Sequence, residues 1–408
     1  MNILLVHNAY QQLGGEDVVF DQERQMLERA GHRVLTYRRS NSEVNEWTGI
    51  RRVALMKNVI WSSATRRDFL RLLQHEKPDV VHVHNTFAMI SPSIYSACAE
   101  AGMPVVQTLH NYRLFCPRAD FFRQGTVCEE CLHHSLLRSV RYACYQHSRP
   151  TTAVVASMLA FHRLRDTWNR EISCFIALTE FCRRKFIEGG LPADRIFVKP
   201  NFVHPDPLPG EETRNYAVYL GRLAPEKLVG TVLAAWKLLP FAVPLLIVGD
   251  GPDRAELEAE AVKSALSSVR FLGRLPRDQA LAAVRGAKFL VFTSGWYESF
   301  GMTIAEAFAC GTPVIASRLG VMEEIVADGR TGLHFNPGDP NDLAKKVEWA
   351  WTHPDEIRGM GNAARKEFEL KYTAERNYPT LMEIYEQAKR PRPGRMEGMP
   401  NSHVSSST

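Results

Sequence analysis

The sequence predicts an α/β fold of two doubly wound domains that face each other across a cleft. With 408 residues, the chain is longer than one ordinary hydrophobic core organises and suits two domains of roughly 150–200 residues each. Short β-branched runs alternate with helical patterns along both halves, which is typical of βαβ units around a parallel sheet. A proline-rich segment without hydrophobic periodicity, residues 204–212, separates the halves and is predicted to be a linker.

Each half is predicted to contribute six strands. In the first half the predicted strands are 3–6, 34–37, 79–84, 104–110, 174–179 and 196–200. In the second half they are 217–220, 245–249, 269–272, 289–293, 313–316 and 332–335. Helical patterns fill most of the gaps, for example at 18–30, 228–239, 254–264, 277–285 and 302–309.

These elements predict an N-terminal domain over 1–203 and a C-terminal domain over 213–365, each built on a Rossmann-like parallel sheet. Residues 364–389 have one continuous helical pattern, and the segment 366–389 is expected to return to the N-terminal domain. The tail, 390–408, is rich in Pro, Gly, Ser and Arg and is predicted to be disordered.

The composition is that of a soluble protein, with 45% hydrophobic and 23% charged residues. Every apolar run is shorter than the roughly 18 residues that a membrane-spanning helix needs. Met1 is followed by a strand pattern rather than by the basic region of a signal peptide. We therefore expect a cytoplasmic protein.

The positive charge is concentrated in the first half, where residues 1–200 hold 26 Lys and Arg against 19 Asp and Glu. This excess is either a solvated surface or a surface that faces anionic material, such as the inner face of a membrane. Candidates for a peripheral membrane contact are the basic pairs at 38–39, 51–52 and 66–67 and the stretch 152–165, for which a core helix is the alternative. No basic run is dense enough to indicate nucleic-acid binding.

The loop after strand 289–293 carries the strongest local pattern for a ligand site. Ligands of doubly wound domains lie at the carboxyl ends of the strands, and a helix that begins near Gly301 offers unpaired N–H groups and a positive dipole end to a diphosphate. Glu298 precedes this helix and Glu306 lies on its second turn, where a carboxylate can bind the vicinal hydroxyls of a ribose. The alternative is a loop glutamate and an acid that stabilises the helix dipole.

Two cations, Arg222 and Lys227, follow strand 217–220 and are expected to face the same cleft. Cations placed there stabilise the charge that develops on a leaving diphosphate more than they stabilise the ground state. The alternative is that both side chains form ion pairs with surface acids.

The first domain offers a glycine pair and a histidine. Gly14 and Gly15 follow strand 3–6 and let the backbone approach a phosphate or sugar closely, although most such pairs are plain turns. They do not form Gly-x-Gly-x-x-Gly, which argues against a dinucleotide oxidoreductase. His110 ends strand 104–110 and is either a residue that faces a ligand or an ordinary polar residue at a strand end.

Four motifs in the second half resemble those of glycosyltransferase family 4 (glycosyl transferases group 1). They are a Glu-x7-Glu pattern within Glu-Ser-Phe-Gly…Glu, a Gly-Arg…Glu-Lys loop, the next βα turn, and a Gly-Gly-x-x-Glu-x-Val…Gly-x-Thr-Gly segment, found here at 298–306, 221–227, 248–252 and 320–332. Val321 replaces the second glycine of the last motif. The resemblance extends over about residues 1–385.

The resemblance implies the GT-B fold and a retaining, metal-independent transfer of a hexosyl unit from a UDP- or GDP-sugar to a carbohydrate or lipid-linked acceptor. Such transfer belongs to the synthesis of cell-envelope polysaccharide or exopolysaccharide. The catalytic residues that it implies are His110, Arg222, Lys227 and Glu298. The donor-binding residues that it implies are Gly14, Gly15, Gly221, Gly251, Ser299, Phe300, Gly301, Glu306 and Glu324. A GT-B-fold nucleotide-sugar epimerase and a non-catalytic nucleotide-sugar-binding scaffold are the alternatives.

Four of the eight cysteines fall in an insertion over 111–150, with the spacing C-x11-C-x2-C-x12-C. Structural disulfides are rare in cytosolic proteins. One C-x2-C pair with two single cysteines fits a structural zinc site of four thiolates, whereas free thiols in a mobile loop are the alternative. The candidate ligands are Cys116, Cys128, Cys131 and Cys144. The remaining four, Cys98, Cys174, Cys182 and Cys310, are expected in the core.

Overall fold

Two parallel sheets of six strands each organise the chain, for which a computed structural model describes residues 1–11, 14–46, 50–210 and 215–391. The side chains of 44–53 are outside that description. The predicted basic pair 51–52, the end of the linker at 211–212 and the tail from 392 onward therefore lie outside the described residues or side chains. Residues 204–210 of the linker form neither helix nor strand.

The strands of the first half are β1 (Asn2–Ala9), β2 (Arg33–Ser40), β3 (Val80–Asn85), β4 (Val105–Thr108), β5 (Phe122–Arg123), β6 (Thr126–Val127), β7 (Cys174–Ala177) and β8 (Ile196–Val198). The first sheet has the order β2-β1-β3-β4-β7-β8, and β5 and β6 form a separate antiparallel pair. The strands of the second half are β9 (Ala217–Leu220), β10 (Leu245–Val248), β11 (Val269–Gly273), β12 (Phe289–Phe292), β13 (Val314–Ser317) and β14 (Gly332–Phe335). The second sheet has the order β11-β10-β9-β12-β13-β14.

The predicted fold class is confirmed, and each predicted strand overlaps an observed one. Strands β3, β4 and β7 are buried along their whole length, because helices cover both faces of the sheet. Such strands are continuous apolar runs, which is why the sequence predicts them well. Strand β2 lies at the edge of its sheet and alternates between half-buried and exposed positions.

The helices of the first half are α1 (Gly15–Arg29), α2 (Ile50–Ile60), α3 (Ser63–Glu76), α4 (Ser93–Glu100), α5 (Glu130–His133), α6 (Leu137–Arg141), α7 (Arg149–Leu164), α8 (Thr167–Glu171) and α9 (Glu180–Glu188). Those of the second half are α10 (Val229–Lys237), α11 (Arg254–Lys263), α12 (Arg277–Arg285), α13 (Met302–Ala309), α14 (Val321–Ile325), α15 (Pro340–Thr352), α16 (Pro354–Lys371) and α17 (Ala374–Lys389). None of the helices in the described ranges is both long and apolar enough to cross a membrane.

The prediction of one helix over 364–389 is wrong, because the chain forms α16 and α17 with a break between them. Thr373 caps α17 and accepts a hydrogen bond from the amide of Arg376 through its side chain. Helix α16 packs on α13 of the second domain. Helix α17 places Leu381 and Tyr385 in the same apolar cluster as Ile3 of β1. The break therefore lets the chain cross from the second domain to the first.

Helix α7 covers the stretch that could have faced a membrane. It buries Val155, Met158 and Leu159, whereas Leu164 at its end is 89% exposed. Helix α7 packs one apolar face inside the domain, as expected for a core helix, which was the alternative to a membrane contact for this stretch. The cysteines expected in the core, Cys98, Cys174, Cys182 and Cys310, are all buried.

Candidate active site

Three turns at the carboxyl ends of β9, β10 and β11 pack tightly against one another. The amide of Gly221 donates to the carbonyl of Val248 at 3.1 Å, and that of Leu223 donates to the carbonyl of Asp250 at 3.0 Å. A Cβ on Gly249, whose φ is +143°, would lie 1.8 Å from the carbonyl oxygen of Gly221. Only glycine fits this close approach, which fixes the start of the loop that carries Arg222 and Lys227.

A Cβ on Gly251 would meet a similar obstacle, 2.1 Å from the carbonyl oxygen of Leu223. The predicted donor-site glycines Gly221 and Gly251 therefore hold two neighbouring βα turns together. Packing alone therefore explains the glycine at 251, whereas a Cβ on Gly221 would meet only the hydroxyl of Tyr219, at 3.1 Å.

Glu298 is the most strongly held side chain in the loop after β12. It is 8% exposed and accepts three hydrogen bonds, all through Oε1. The donors are Nζ of Lys227, Oγ of Ser294 at 3.0 Å and Nε1 of Trp296 at 2.7 Å. The indole ring of Trp296 also lies beneath the Lys227 ammonium, 5.3 Å from its centroid. Two residues predicted separately are thus brought into direct contact.

Ser294 and Trp296 are partners that the sequence analysis missed. Both lie within four residues of Glu298 in a loop without periodicity. Loop residues carry no pattern that reports their hydrogen bonds, so only their closeness to the motif could have indicated them.

Helix α13 begins directly after this loop, with Gly301 at φ +80° as its N-cap. Its first amides are therefore directed toward the loop end of the cleft. Ser299 is half-buried, and Phe300 packs its ring against Tyr372, at 5.6 Å between centroids. The side chain of Phe300 is a core residue, which leaves its backbone to face a ligand.

Glu306 lies on the second turn of α13, where only a small part of its side chain is exposed. Its Oε1 accepts from Nη2 of Arg277 at 3.1 Å. Burial raises the pKa of Glu306, and Arg277 opposes that effect. Arg277, at the start of α12, is a third residue that the sequence analysis missed. Arg222, by contrast, is exposed at the edge of the site.

Glu324 makes a contact between the two domains. Its Oε1 accepts from the amide of Glu180 at 2.8 Å and its Oε2 from that of Phe181 at 2.7 Å. These amides begin α9 of the first domain, where a carboxylate also complements the helix dipole. The ring of Phe181 meets that of Tyr297, in the loop beside Glu298, at 4.8 Å. The structure thus places Glu324 at the junction of the domains.

The glycine pair of the first domain begins α1. The amide of Gly14 donates to Oδ2 of Asp17 at 2.9 Å, and the other oxygen of Asp17 lies 2.9 Å from Nε2 of the buried His7. A Cβ on Gly15 would meet nothing within 4 Å, so open space adjoins the pair. The backbone of the pair is therefore held by Asp17 at Gly14 and exposed at Gly15.

Glu16 follows the pair and was not singled out from the sequence. Its Oε1 accepts from Nδ2 of Asn111 at 2.7 Å. Its Oε2 is buried without a hydrogen-bond partner among the described residues, and burial raises its pKa. Because Asn111 follows His110 directly, this contact brings the start of α1 and the end of β4 together.

His110 lies above a row of buried polar side chains. Its Nε2 lies 2.9 Å from Nδ1 of His84, and the two rings stack. Burial, followed by the nearby His7, lowers the pKa of His110 to about 3, so its ring is neutral at neutral pH. A neutral ring can donate one hydrogen bond and accept another, but it does not act as a cation.

From His84 the row of buried polar side chains continues through His82 to the ion pair of Glu23 and Lys199. Nδ1 of His82 lies 3.0 Å from Oε1 of Glu23 and 2.8 Å from the hydroxyl of Tyr385 on α17. Nζ of Lys199 lies 3.2 Å from Oε2 of Glu23. No sequence pattern marks a role for these residues, because their partners are far away along the chain.

Comparisons with known proteins bear on the family and the fold of the chain. The family model for glycosyltransferase family 4 matches residues 13–207, and the model for glycosyl transferases group 1 matches residues 204–367. The chain belongs to these glycosyltransferase families. An uncharacterized glycosyltransferase of Methanocaldococcus jannaschii is 34% identical over 209 residues, which are 50% of this chain and 58% of that relative. The chain thus spans less than two thirds of the relative's length.

Two solved structures share the GT-B fold. Sucrose-phosphate synthase from Thermosynechococcus elongatus superimposes with a TM-score of 0.70 and 18% identity, over 94% of this chain and 98% of that one. Anabaena HepE in complex with UDP-glucose superimposes with a TM-score of 0.67 and 18% identity, over 94% of this chain and 99% of that one. At this level of identity, the similarity establishes the fold of the glycosyltransferase chain.

Proposed function

We propose that the protein is a retaining glycosyltransferase that moves a hexosyl unit from a UDP- or GDP-sugar to a carbohydrate or lipid-linked acceptor, in cell-envelope or exopolysaccharide synthesis. The observation that carries this proposal is the contact of Lys227 with Glu298 beside the start of α13, in a chain of this family. HepE, of the same fold, is a protein solved with UDP-glucose.

In the proposed reaction, the bond from the anomeric carbon to the diphosphate breaks while the acceptor oxygen attacks the same face of the sugar. The acceptor proton passes to the departing phosphate oxygen. Negative charge grows on the diphosphate, where Lys227, Arg222 and the first amides of α13 stabilise it. These fixed charges supply the stabilisation without a divalent ion.

Glu298 has two tasks in this proposal. Through Oε1 it holds Lys227 in place, together with Ser294 and Trp296. Its other oxygen binds sugar hydroxyls. Neutral His110 hydrogen-bonds the transferred sugar from the opposite wall, and Glu306 binds the ribose.

The test is nucleotide release from UDP- and GDP-sugars with and without glycan and lipid-linked acceptors. Transfer predicts release that depends on the acceptor, and NMR of the product should show the anomeric configuration of the donor. Interconversion of sugars without an acceptor would instead indicate an epimerase, and binding without turnover would indicate a scaffold. Added Mg²⁺ should leave the rate unchanged.

Lys227→Met should lower kcat by roughly 100- to 1,000-fold, as loss of one preplaced transition-state donor does. Lys237→Met is the matched control, because Lys237, at the end of α10, forms an exposed ion pair with Glu260 of α11 at 3.0 Å. Wild-type turnover in both Lys227→Met and Glu298→Gln would rule out the assigned roles.

A further inference from the structure

Two groups of polar side chains in the first domain lie apart from the contact of Lys227 with Glu298. The insertion cysteines predicted as zinc ligands are free thiols, and no three of their sulfurs, all in the described part of the chain, lie within 4.8 Å of one another. The zinc site therefore stays a prediction. The row of buried polar side chains at His110, in contrast, is ordered by short contacts.

His110 and His84 are joined by a contact between ring nitrogens. Nε2 of His110 lies 2.9 Å from Nδ1 of His84, and both side chains are buried. Burial is the main reason why the pKa of each ring is lowered, so both rings are neutral at neutral pH. In a neutral imidazole one nitrogen donates and the other accepts. The contact therefore has two possible arrangements, which differ in the ring that supplies the proton.

Glu23 faces the other nitrogen of His84. Its Oε1 lies 3.9 Å from Nε2 of His84. Both atoms are buried, and no described group pairs with either of them in hydrogen-bond geometry, although Nδ1 of His82 lies 3.0 Å from the same oxygen. A distance of 3.9 Å is longer than a hydrogen bond, but the charge of a buried carboxylate acts strongly over it.

Glu23 is ionised because a cation is fixed beside it. Nζ of Lys199 lies 3.2 Å from Oε2 of Glu23 and donates to Oδ1 of Asn377 at 2.9 Å. Burial opposes ionisation of Glu23, but Lys199 and then His82 hold its pKa well below its usual range. The oxygen that faces His84 therefore belongs to a carboxylate, which only accepts hydrogen bonds.

This carboxylate selects one of the two arrangements. A proton on Nε2 of His84 directs an N–H group toward Glu23, whereas a proton on Nδ1 would leave a nitrogen lone pair facing the carboxylate oxygen. Two acceptors that face each other in the interior are unfavourable, because neither is paired. Nδ1 of His84 is then the acceptor, and Nε2 of His110 is the donor. Nδ1 of His110 keeps its lone pair and is the ring nitrogen left for a ligand.

We propose that Glu23 and His84 are positioning residues that hold the ring proton of His110 on Nε2, so that Nδ1 accepts a hydrogen bond from a hydroxyl of the transferred sugar. The role of the sugar hydroxyl rests on the transferase function proposed above. An acceptor nitrogen needs a donor, so the site favours a sugar with a free hydroxyl at that position over its deoxy analogue. Glu23 and His84 act only through His110.

Nuclear magnetic resonance of the full chain, labelled at the histidine nitrogens, shows which nitrogen of each ring carries the proton. The spectrum needs no turnover, so it tests the tautomer independently of the transferase assay. At neutral pH the proton of His110 should be on Nε2, and a His110→Gln sample assigns the signals. A proton on Nδ1 would overturn the proposal.

The double variant Glu23→Gln/Lys199→Met removes the charge at Oε1 together with its partner and keeps both side chains similar in size. It should populate the other tautomer of His110, and an unchanged spectrum would exclude Glu23 as the cause. Tyr385→Phe is the matched control, because its hydroxyl lies 2.8 Å from Nδ1 of His82 in the same buried row. Its His110 signals should match those of wild type. An equal change in this control would overturn the assignment, because any disturbance of the row would then produce it.

Variants of His84 test whether it transmits the effect. His84→Asn keeps an acceptor oxygen near the place of Nδ1 and should preserve the tautomer of His110. His84→Leu offers no acceptor and should lose that preference. The same His110 tautomer in both variants would exclude His84 from the proposed role.

Donor analogues that each lack one hydroxyl measure the consequence for the sugar. With the UDP- or GDP-hexose that supports transfer, wild type should discriminate against one monodeoxy analogue at least about tenfold in kcat/KM, roughly the worth of one hydrogen bond. This discrimination should shrink in Glu23→Gln/Lys199→Met and persist in Tyr385→Phe. Equal discrimination in wild type and the double variant would overturn the link to the sugar. No transfer with any donor would instead refute the proposed function, while the spectrum still decides the tautomer.

Discussion

Replacing Lys199 with methionine should destabilise the protein by about 3–5 kcal/mol, which is the cost of leaving a buried charge without its partner. The side chains of Lys199 and Glu23 are each 1% exposed, and Nζ of Lys199 also donates to Oδ1 of Asn377 on α17 at 2.9 Å. Methionine has a similar length but no charge. Glu23 would then keep only the two histidines His82 and His84 close to its Oε1, at 3.0 and 3.9 Å.

The double variant Glu23→Gln/Lys199→Met provides the control. Removing both charges together should recover most of the lost stability, because a buried pair can often be replaced by neutral groups at little net cost. Lys389→Met is a surface control. It removes an exposed ion pair with Glu386 at 3.0 Å, which should cost less than about 1 kcal/mol.

The stability that the Glu23–Lys199 pair contributes should depend on pH with a definite sign. Burial opposes ionisation of Glu23, but Lys199 and then His82 hold the pKa of this carboxyl well below its usual range. A lowered pKa contributes stability above the unfolded value of about 4.3, and that contribution is lost as the pH falls through the folded value. The difference between wild type and Lys199→Met should therefore be large at pH 7 and shrink in acid.

Urea unfolding and thermal unfolding, each followed by circular dichroism, measure the loss of stability and its dependence on pH. Equal unfolding midpoints for Lys199→Met and wild type at pH 7 would refute the reasoning. So would a double variant that is less stable than Lys199→Met alone.

Two further variants test the donor turns and the start of α1. Gly249→Ala should weaken UDP-sugar binding at least about tenfold and lower the unfolding temperature, because its Cβ meets the Gly221 carbonyl oxygen. Gly230→Ala is the control: Gly230 is exposed on α10 and its Cβ would meet nothing within 4 Å, so the change should be neutral or stabilising. Glu16→Gln should raise the unfolding temperature more at pH 8 than at pH 4, measured by thermal shift. Burial raises the pKa of Glu16, so its ionisation costs stability as the pH rises above the unfolded value; an equal effect at both pH values would contradict this.

The strands could be predicted because their signal is local. A parallel strand buried on both faces is an apolar run, and a turn residue marks each end. The break at Thr373 could not be predicted in this way. Apolar spacing continues from α16 into α17, and only the two different sheets against which they pack separate them. Three-dimensional context, rather than propensity, ends the helix there.

The contacts of the candidate site, like the elements of the fold, could be predicted from the sequence only in part. Motif spacing predicted that Lys227 and Glu298 share one cleft, and the structure brings them into contact. The partners of His110 could not be found from spacing, because His84 pairs with it across two strands and Glu23 lies on another element. A histidine on a buried strand gives the same sequence pattern whether it supports a site or merely fills a core.

Tyr112 links the two walls of the cleft. Its hydroxyl donates to the carbonyl of Glu298 at 3.3 Å, and its own carbonyl accepts from the amide of Cys116 at 2.9 Å. One fully buried residue thus joins the first turn of the insertion after β4 to the loop that holds Lys227. Tyr112 therefore connects the insertion of the first domain mechanically to the Glu298 loop of the second domain.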